Sequence, residues 1–319
     1  MAVATKNAAL KPSKKTGKVH DLFRTYKKQR YLLLALLPGI IYFLVFHYAP
    51  MYGVIIAFKR FNFNDGIMGS AWVGLENFKT FLGSPDFGSV FANTLIISFY
   101  QLLFGFPAPI LLAIMLNEVR NMAFKKTVQT ISYLPHFLSW VVLAGIFLEL
   151  LSPSRGAVNY LITLFGGEPI DFMTNNKWFR GVLVVTNIWK EIGWSSIVYL
   201  AAVSNIDTQL YEAATIDGAS RIKQIRHITL PSMVPIITIM LIFAVGKIIN
   251  DNFDQIYNMY RPAVYPSADV ISTYVYRMGV QKMEYSLATA VGLFKNVISL
   301  ILVLATNAIA NRMGEYGLW

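Results

Sequence analysis

An all-α integral membrane protein with six transmembrane helices is the fold that this sequence of 319 residues predicts, on three observations. Composition is the first: 55% of residues are apolar and only 14% are charged, against roughly 25% charged in a typical soluble domain. Arrangement is the second, because the apolar residues fall in blocks rather than at mixed periodicity. Length is the third. A helix needs about 20 largely apolar residues to cross roughly 30 Å of hydrocarbon, and six stretches qualify: 31–57, 93–116, 131–151, 181–204, 233–250 and 286–310.

Before the first stretch, residues 1–30 carry nine basic side chains (Lys6, Lys11, Lys14, Lys15, Lys18, Arg24, Lys27, Lys28, Arg30) against one acid, Asp21. The apolar run that follows, Tyr31 to Phe58, is about twice the 7–15 residues of a secretory signal core. It predicts an uncleaved basic tail leading into a membrane domain of residues 31–311, with a short tail at 312–319. Pro38, Pro107, Pro109, Pro135 and Pro235 lie in or at the ends of the spans, tolerable where neighbours satisfy the freed backbone groups. Lys247, Asn250 and Asp251 shorten the fifth span. With the N-terminus in the cytoplasm, the inner segments hold 16 Lys/Arg and the outer segments 9, the expected bias. Both termini are then cytoplasmic.

The outer segments mix Trp72, Phe78, Phe81, Trp178 and Phe179 with Gly, Pro and Asp. Two readings stand: interfacial aromatic belts, or a folded surface that meets another protein. The net charge of +11 suits an anionic membrane surface between such apolar runs better than nucleic acid. No cysteine is present, which excludes disulfide frameworks, thiolate metal sites and cysteine nucleophiles. His20, His47, His136 and His227 lack metal-ligand spacing. His136, after Pro135, is expected to be a hydrogen-bonded interface histidine rather than a proton relay. No nucleophile–base arrangement can be read, so an integral membrane enzyme fits poorly.

The segment 205–232, between the fourth and fifth stretches, reads as two short helices around a glycine. Asp207 can cap the first, Ile206 can pack on Tyr211, and Leu210, Ala213 and Ala214 share a face. Gly218 permits a sharp turn. Ser220 can cap the second helix, which bears Ile222 and Ile225, and Pro231 is expected to end it. Glu212-Ala213-Ala214, Asp217-Gly218-Ala219 and, after a fixed spacing, Ile228-x-Leu230-Pro231 resemble the cytoplasmic EAA loop of permease subunits from binding-protein-dependent ABC importers.

That resemblance implies a cytoplasmic coupling helix: Ala213 and Ala214 allow close approach to an ATPase, Glu212 pairs with a basic residue there, and Gly218 sets the angle of the pair. It implies two ATP-binding-cassette subunits, a second homologous permease, an extracytoplasmic solute-binding protein, and a location in the bacterial cytoplasmic membrane. The chain has no G-x-x-x-x-G-K-[ST] loop, so the motor is a separate subunit that binds MgATP, and this chain needs no cofactor. Two further groups of residues resemble the carbohydrate-uptake branch. One is Gly74-Leu75-Glu76-Asn77-Phe78 with Phe87 and Asn93-Thr94. The other is Asn252 to Tyr257, Tyr274-Val275-Tyr276-Arg277 and Ala288 to Phe294, which is similar to a subgroup importing larger oligosaccharides. Tyr260-Arg261-Pro262-Ala263-Val264-Tyr265 replaces the Gly-Gly-Pro of many sugar permeases and points to the same subgroup.

Ionisable groups inside the stretches cost roughly 2.5–3.5 kcal/mol each at mid-bilayer on insertion scales, so each should face protein or water. They are Glu149, Lys190, Glu191, Lys247 and Lys295. Lys190 and Glu191, with Trp189, Trp194 and Tyr199, make either a saccharide path or a structural ion pair among interfacial tryptophans. Three lysines against two glutamates suggest an acidic, uronate-containing cargo, although lysines near helix ends also snorkel. Two rivals remain: an ion-gradient-driven sugar carrier, for which Glu191 is the only deep coupling acid, and a membrane anchor for a cytoplasmic complex.

Overall fold

The computed structural model describes residues 29–247 and 252–312. The basic tail through Lys28, the pair Asn250 and Asp251, and the end of the chain from Met313 lie outside the described residues. Two compact units divide the chain, 1–54 and 55–319. In the first, α1 (Arg30–Phe43) runs through Pro38 without a break and continues as a π turn, Leu44–Tyr48, ahead of Pro50.

The second unit opens with a two-stranded antiparallel hairpin, β1 (Lys59–Arg60) and β2 (Ala71–Trp72). The helices that frame it include α2 (Pro85–Tyr100), α3 (Pro107–Glu118), α4 (Met122–Tyr133), α5 (Trp140–Leu150), α6 (Asn176–Ser204), α7 (Thr208–Ile216), the short α8 (Arg221–Gln224), α9 (Leu230–Gly246), α10 (Phe253–Met259) and α11 (Tyr285–Arg312). Among the described residues four runs are long and apolar enough to cross a membrane: Leu34–Phe58, Pro85–Glu118, Arg221–Gly246 and Tyr285–Ile309. These match the expected first, second, fifth and sixth spans. The fifth begins earlier than expected and ends at Gly246, where Lys247 takes the cap position.

The other two expected spans depart from a simple membrane helix. The third is broken: Met122–Phe137 and Trp140–Leu150 meet at 106°, and either half alone falls short of roughly 30 Å, since at about 1.5 Å per residue they rise only about 24 and 16 Å. Pro135 sits in a 3-10 turn, Leu134–Phe137, and Ser139 starts the next helix by accepting a hydrogen bond from the Val142 N–H. The fourth forms as the 29-residue α6, but Lys177, Arg180, Lys190 and Glu191 set it apart from a lipid-facing helix. One face of it packs in protein, with Leu183, Thr186, Lys190, Ser196 and Tyr199 all buried, while Val185, Trp189 and Trp194 are exposed.

Pro231 does not end the second helix of the 205–232 segment. α8, a π turn (Ile225–Thr229) and α9 form one run from Arg221 to Gly246. A proline cannot donate to the carbonyl four residues back and crowds it; a preceding π turn widens the backbone there and lets the helix continue. The same device joins α2 to α3, where the π turn Gln101–Gly105 precedes Pro107. Ser220 occupies the N-cap position of α8 without making a side-chain cap.

Among the described residues, three buried clusters hold the unit together. Ile110, Ala113 and Ile114 of α3 pack with Tyr199 and Val203 of α6 and Met233 of α9. Phe179, Val182 and Leu183 of α6 meet Ala144 of α5, Ile256 and Met259 of α10, and Val264 to Val270 beyond it. Val90 of α2 and Val291 of α11 close over Phe81, Ile271 and Tyr274.

Candidate functional site

The 205–232 segment forms a helix–turn–helix, with Glu212, Ala213, Asp217 and Gly218 outward. The Asp207 carboxylate accepts a hydrogen bond from the Gln209 N–H at 2.9 Å, the expected N-cap of α7. At the other end Gly218 has φ +74°. Its N–H donates to the Thr215 carbonyl at 3.1 Å, and the Ala219 N–H donates to the Ala214 carbonyl at 2.8 Å. Those two bonds define a Schellman motif with glycine at the left-handed position. The turn is then braced from behind: the Tyr211 hydroxyl meets Thr229 Oγ1 at 2.8 Å and Gln224 Nε2 donates to Thr215 Oγ1 at 2.9 Å. Arg221 approaches Glu118 of α3 at 3.9 Å.

Glu212, Ala213, Asp217, Gly218 and Pro231 are exposed, while Ala214, Ala219, Ile228 and Leu230 are half-buried. Ile216 is 86% exposed and Ile222 78%, an apolar crest carried on a braced turn. Such a crest suits a groove on another protein.

A cavity of about 470 Å³ lies between α2–α3, α6, α9 and α10. Of the residues expected along a path, Glu191, Trp194, Tyr199 and Lys247 line it. Trp189, Lys190 and Lys295 do not. Trp189 packs edge-on against Phe147, with ring centroids 5.6 Å apart. Lys190 is buried and donates to the His136 carbonyl at 2.6 Å, and Lys295 bonds the Ser272 hydroxyl. Of the three lysines behind the acidic-cargo reading, Lys247 alone reaches the cavity. Glu149, also expected inside a span, pairs with Arg155 at 3.0 Å in an exposed position.

The polar wall of the cavity is not among the path residues expected from the sequence. Asn252 Nδ2 donates to Asn187 Oδ1 at 2.9 Å, and Asn187 Nδ2 donates to Gln101 Oε1 at 2.9 Å. Gln255, buried behind them, donates to the Leu183 carbonyl at 2.7 Å and to Thr186 Oγ1 at 2.8 Å. Amides chained in this way satisfy one another in an apolar setting yet keep lone pairs and N–H groups for a visiting hydroxyl. Asn252 and Gln255 lie in the Asn252–Tyr257 stretch that resembles oligosaccharide permeases, but the path expected from the sequence follows ionisable and aromatic groups and passes over Gln101 and Asn187.

The carbohydrate-type motifs outside the cavity build scaffold. Asn93 Nδ2 donates to the Pro266 and Asp269 carbonyls at 3.1 Å each, and its Oδ1 accepts from Arg180 at 2.7 Å. Asp269 receives two bonds from Arg277, at 2.9 and 2.6 Å, which push the guanidinium further above its ordinary pKa. Burial raises the neighbouring Tyr260 phenol. Asn77 Nδ2 bonds the Ala57 and Lys59 carbonyls and so ties its short helix to the hairpin.

A family model described as the binding-protein-dependent transport system inner membrane component matches residues 105–315. The chain belongs to that family. This inner membrane component is accordingly a permease subunit, built for transport rather than catalysis, and a membrane protein. It is 45% identical over 292 residues to the polygalacturonan/rhamnogalacturonan transport system permease protein YteP of Bacillus subtilis (strain 168), covering 92% of this chain and 91% of that one. Protein LplB of the same organism is 43% identical over 303 residues, 95% of each chain. Among solved structures, a bacterial ABC transporter involved in the import of the acidic polysaccharide alginate contains a chain 45% identical, with a TM-score of 0.85 over 92% of this component and 99% of its own length. A second structure of a bacterial alginate ABC transporter, in complex with an alginate pentasaccharide-bound periplasmic protein, matches at 44% identity and a TM-score of 0.86, over 93% and 99%.

Proposed function

We propose that this permease forms half of the pathway of an ATP-driven importer of oligosaccharides, uronate-containing ones among them. The observation that carries this reading is the amide-walled cavity, in a chain whose length is matched almost completely by an alginate importer subunit. A second homologous permease completes the pathway, and a solute-binding protein delivers cargo from outside. Two ATPase subunits dock beneath the permease pair, one of them on the segment from Thr208 to Pro231 of this chain. MgATP belongs to them, and this chain holds no cofactor of its own. Six crossings follow when the broken α4–α5 pair and α6 each count as one, with both termini in the cytoplasm. Closure of the ATPase pair moves α7 and α8, and α8 passes the motion straight into α9 because the Ile225–Thr229 π turn keeps the two in one helix.

Uptake by proteoliposomes carrying the assembled complex is expected to require ATP and to survive an uncoupler. An ion-gradient carrier would give the reverse, and an anchor would give no uptake. Lys247 supplies the test for acidic cargo. Lys247→Met is expected to lower uptake of an acidic oligosaccharide about fivefold relative to a neutral one of equal length, the scale of one solvent-screened charge contact. An equal fall for both removes the acidic-cargo reading and leaves the importer in place.

A further inference from the structure

We propose that Lys190 is a positioning residue: its ammonium clamps the two halves of the broken α4–α5 span, and Glu191 joins that clamp to the cavity wall. The clamp stands on geometry alone; its link to transport rests on the cavity being the cargo path.

Pro135 accounts for the end of the first half but not for the angle at which the second half leaves. A helix end exposes carbonyls without partners and a partial negative charge that favours a cation. Lys190 Nζ meets that end, donating to the His136 carbonyl at 2.6 Å. The same ammonium lies 5.8 Å from the ring centroid of Trp140, the first residue of the second half. One charge therefore touches both sides of the 106° break, through an attraction that strengthens when water is excluded.

A buried cation needs a counter-charge, and Glu191 Oε1 lies 3.5 Å away. Glu191 Oε2 accepts a hydrogen bond from His136 Nδ1 at 2.8 Å. The His136 ring lies flat on Trp194, with centroids 4.5 Å apart and planes 1° from parallel. Residues 190, 191 and 194 are neighbours on α6 and grip residues 136 and 140 together. Glu191 and Trp194 also face the cavity, so the side chains that fix the break form part of the cavity wall.

The sequence has no cysteine, so Met122→Cys and Leu150→Cys place one spin label on each half, both at exposed positions. Distances between the labels are measured in the assembled transporter without cargo. The parent should give one narrow distribution, Lys190→Met should at least double its width, and Lys190→Arg should restore it. A distribution as narrow in Lys190→Met as in the parent overturns the clamp. If Lys190→Met does not assemble, Glu191→Gln decides: broadening supports the clamp and an unchanged width overturns it.

Uptake kinetics separate positioning from bulk structure. Lys190→Met should lower kcat about tenfold while leaving KM for the cargo-loaded binding protein unchanged, with recovery in Lys190→Arg. A matching rise in KM overturns the positioning role. Because the labels report without cargo, failure of the parent to transport any oligosaccharide would remove the proposed function and leave the clamp standing.

Discussion

Gly218→Val in the assembled transporter is expected to leave ATP hydrolysis running while uptake falls at least about tenfold. Gly218 stands at φ +74°, where a side chain on an L-residue costs about 1–2 kcal/mol and a β-branched one more. A Cβ added there would meet nothing within 4 Å. The penalty is therefore one of backbone conformation, relieved by giving up the Ala219-to-Ala214 and Gly218-to-Thr215 bonds that end α7. Once they open, α7 is no longer braced against the Ile225–Thr229 turn, and a push on the exposed Ala213 face is lost in the loop instead of reaching α9. Substitutions should rank Gly, Asn, Ala, Val from most to least active, because asparagine tolerates the left-handed region better than alanine. A ranking by size, with Asn below Ala, would mean that position 218 is crowded by the ATPase and that its backbone angle is secondary. Parallel assays of hydrolysis and uptake decide, and undiminished uptake in Gly218→Val would count against the coupling role of the loop.

How much of this was legible beforehand depended on whether a feature is local. Spans two, five and six follow from apolar runs alone, and Asp207 with Gly218 marks both ends of α7 through rules that act within one helical turn. Pro231 misled because a proline read in isolation stops a helix; the π turn that rescues it is a backbone adjustment with no residue signature. Ser220 misled for a similar reason, since the N-cap position was right and the capping bond is not made. The break at Leu138 and Ser139 was hidden by the surrounding apolar residues, which read as continuous. Long-range sites were the least legible. Asn187 lies 86 positions from Gln101 and 65 from Asn252, and only the packing of α2–α3, α6 and α10 assembles that wall. Lys190 shows the opposite failure: its charge was correctly singled out, but which way it points depends on a break that could not be read.

Gly193→Ala should be the most damaging small substitution in α6, and Gly181→Ala among the least. On α6 a Cβ at position 193 would sit 2.1 Å from the Ser132 carbonyl oxygen and 2.3 Å from its carbon. Both are backbone atoms and cannot rotate away, so α4 and α6 must separate by more than 1 Å at their closest approach. Overpacking of a tight interior typically costs about 1–3 kcal/mol, and a backbone-to-backbone clash belongs at or above the upper end. Small residues are what allow helices to approach so closely where lipid supplies no hydrophobic drive. Separation would also draw His136, four residues after Ser132, away from Lys190 and Glu191 on the adjoining turn of α6. For a protein of 319 residues, about 3 kcal/mol corresponds to a fall of roughly 4–5 °C in Tm. At position 181 an added Cβ meets nothing within 4 Å, and alanine gains helix propensity over glycine, so Tm should hold or rise slightly. Thermal unfolding of the two purified variants settles the matter: if Gly193→Ala melts with Gly181→Ala, the contact of α4 with α6 is looser than its geometry implies, and the break would have to be held by side chains alone.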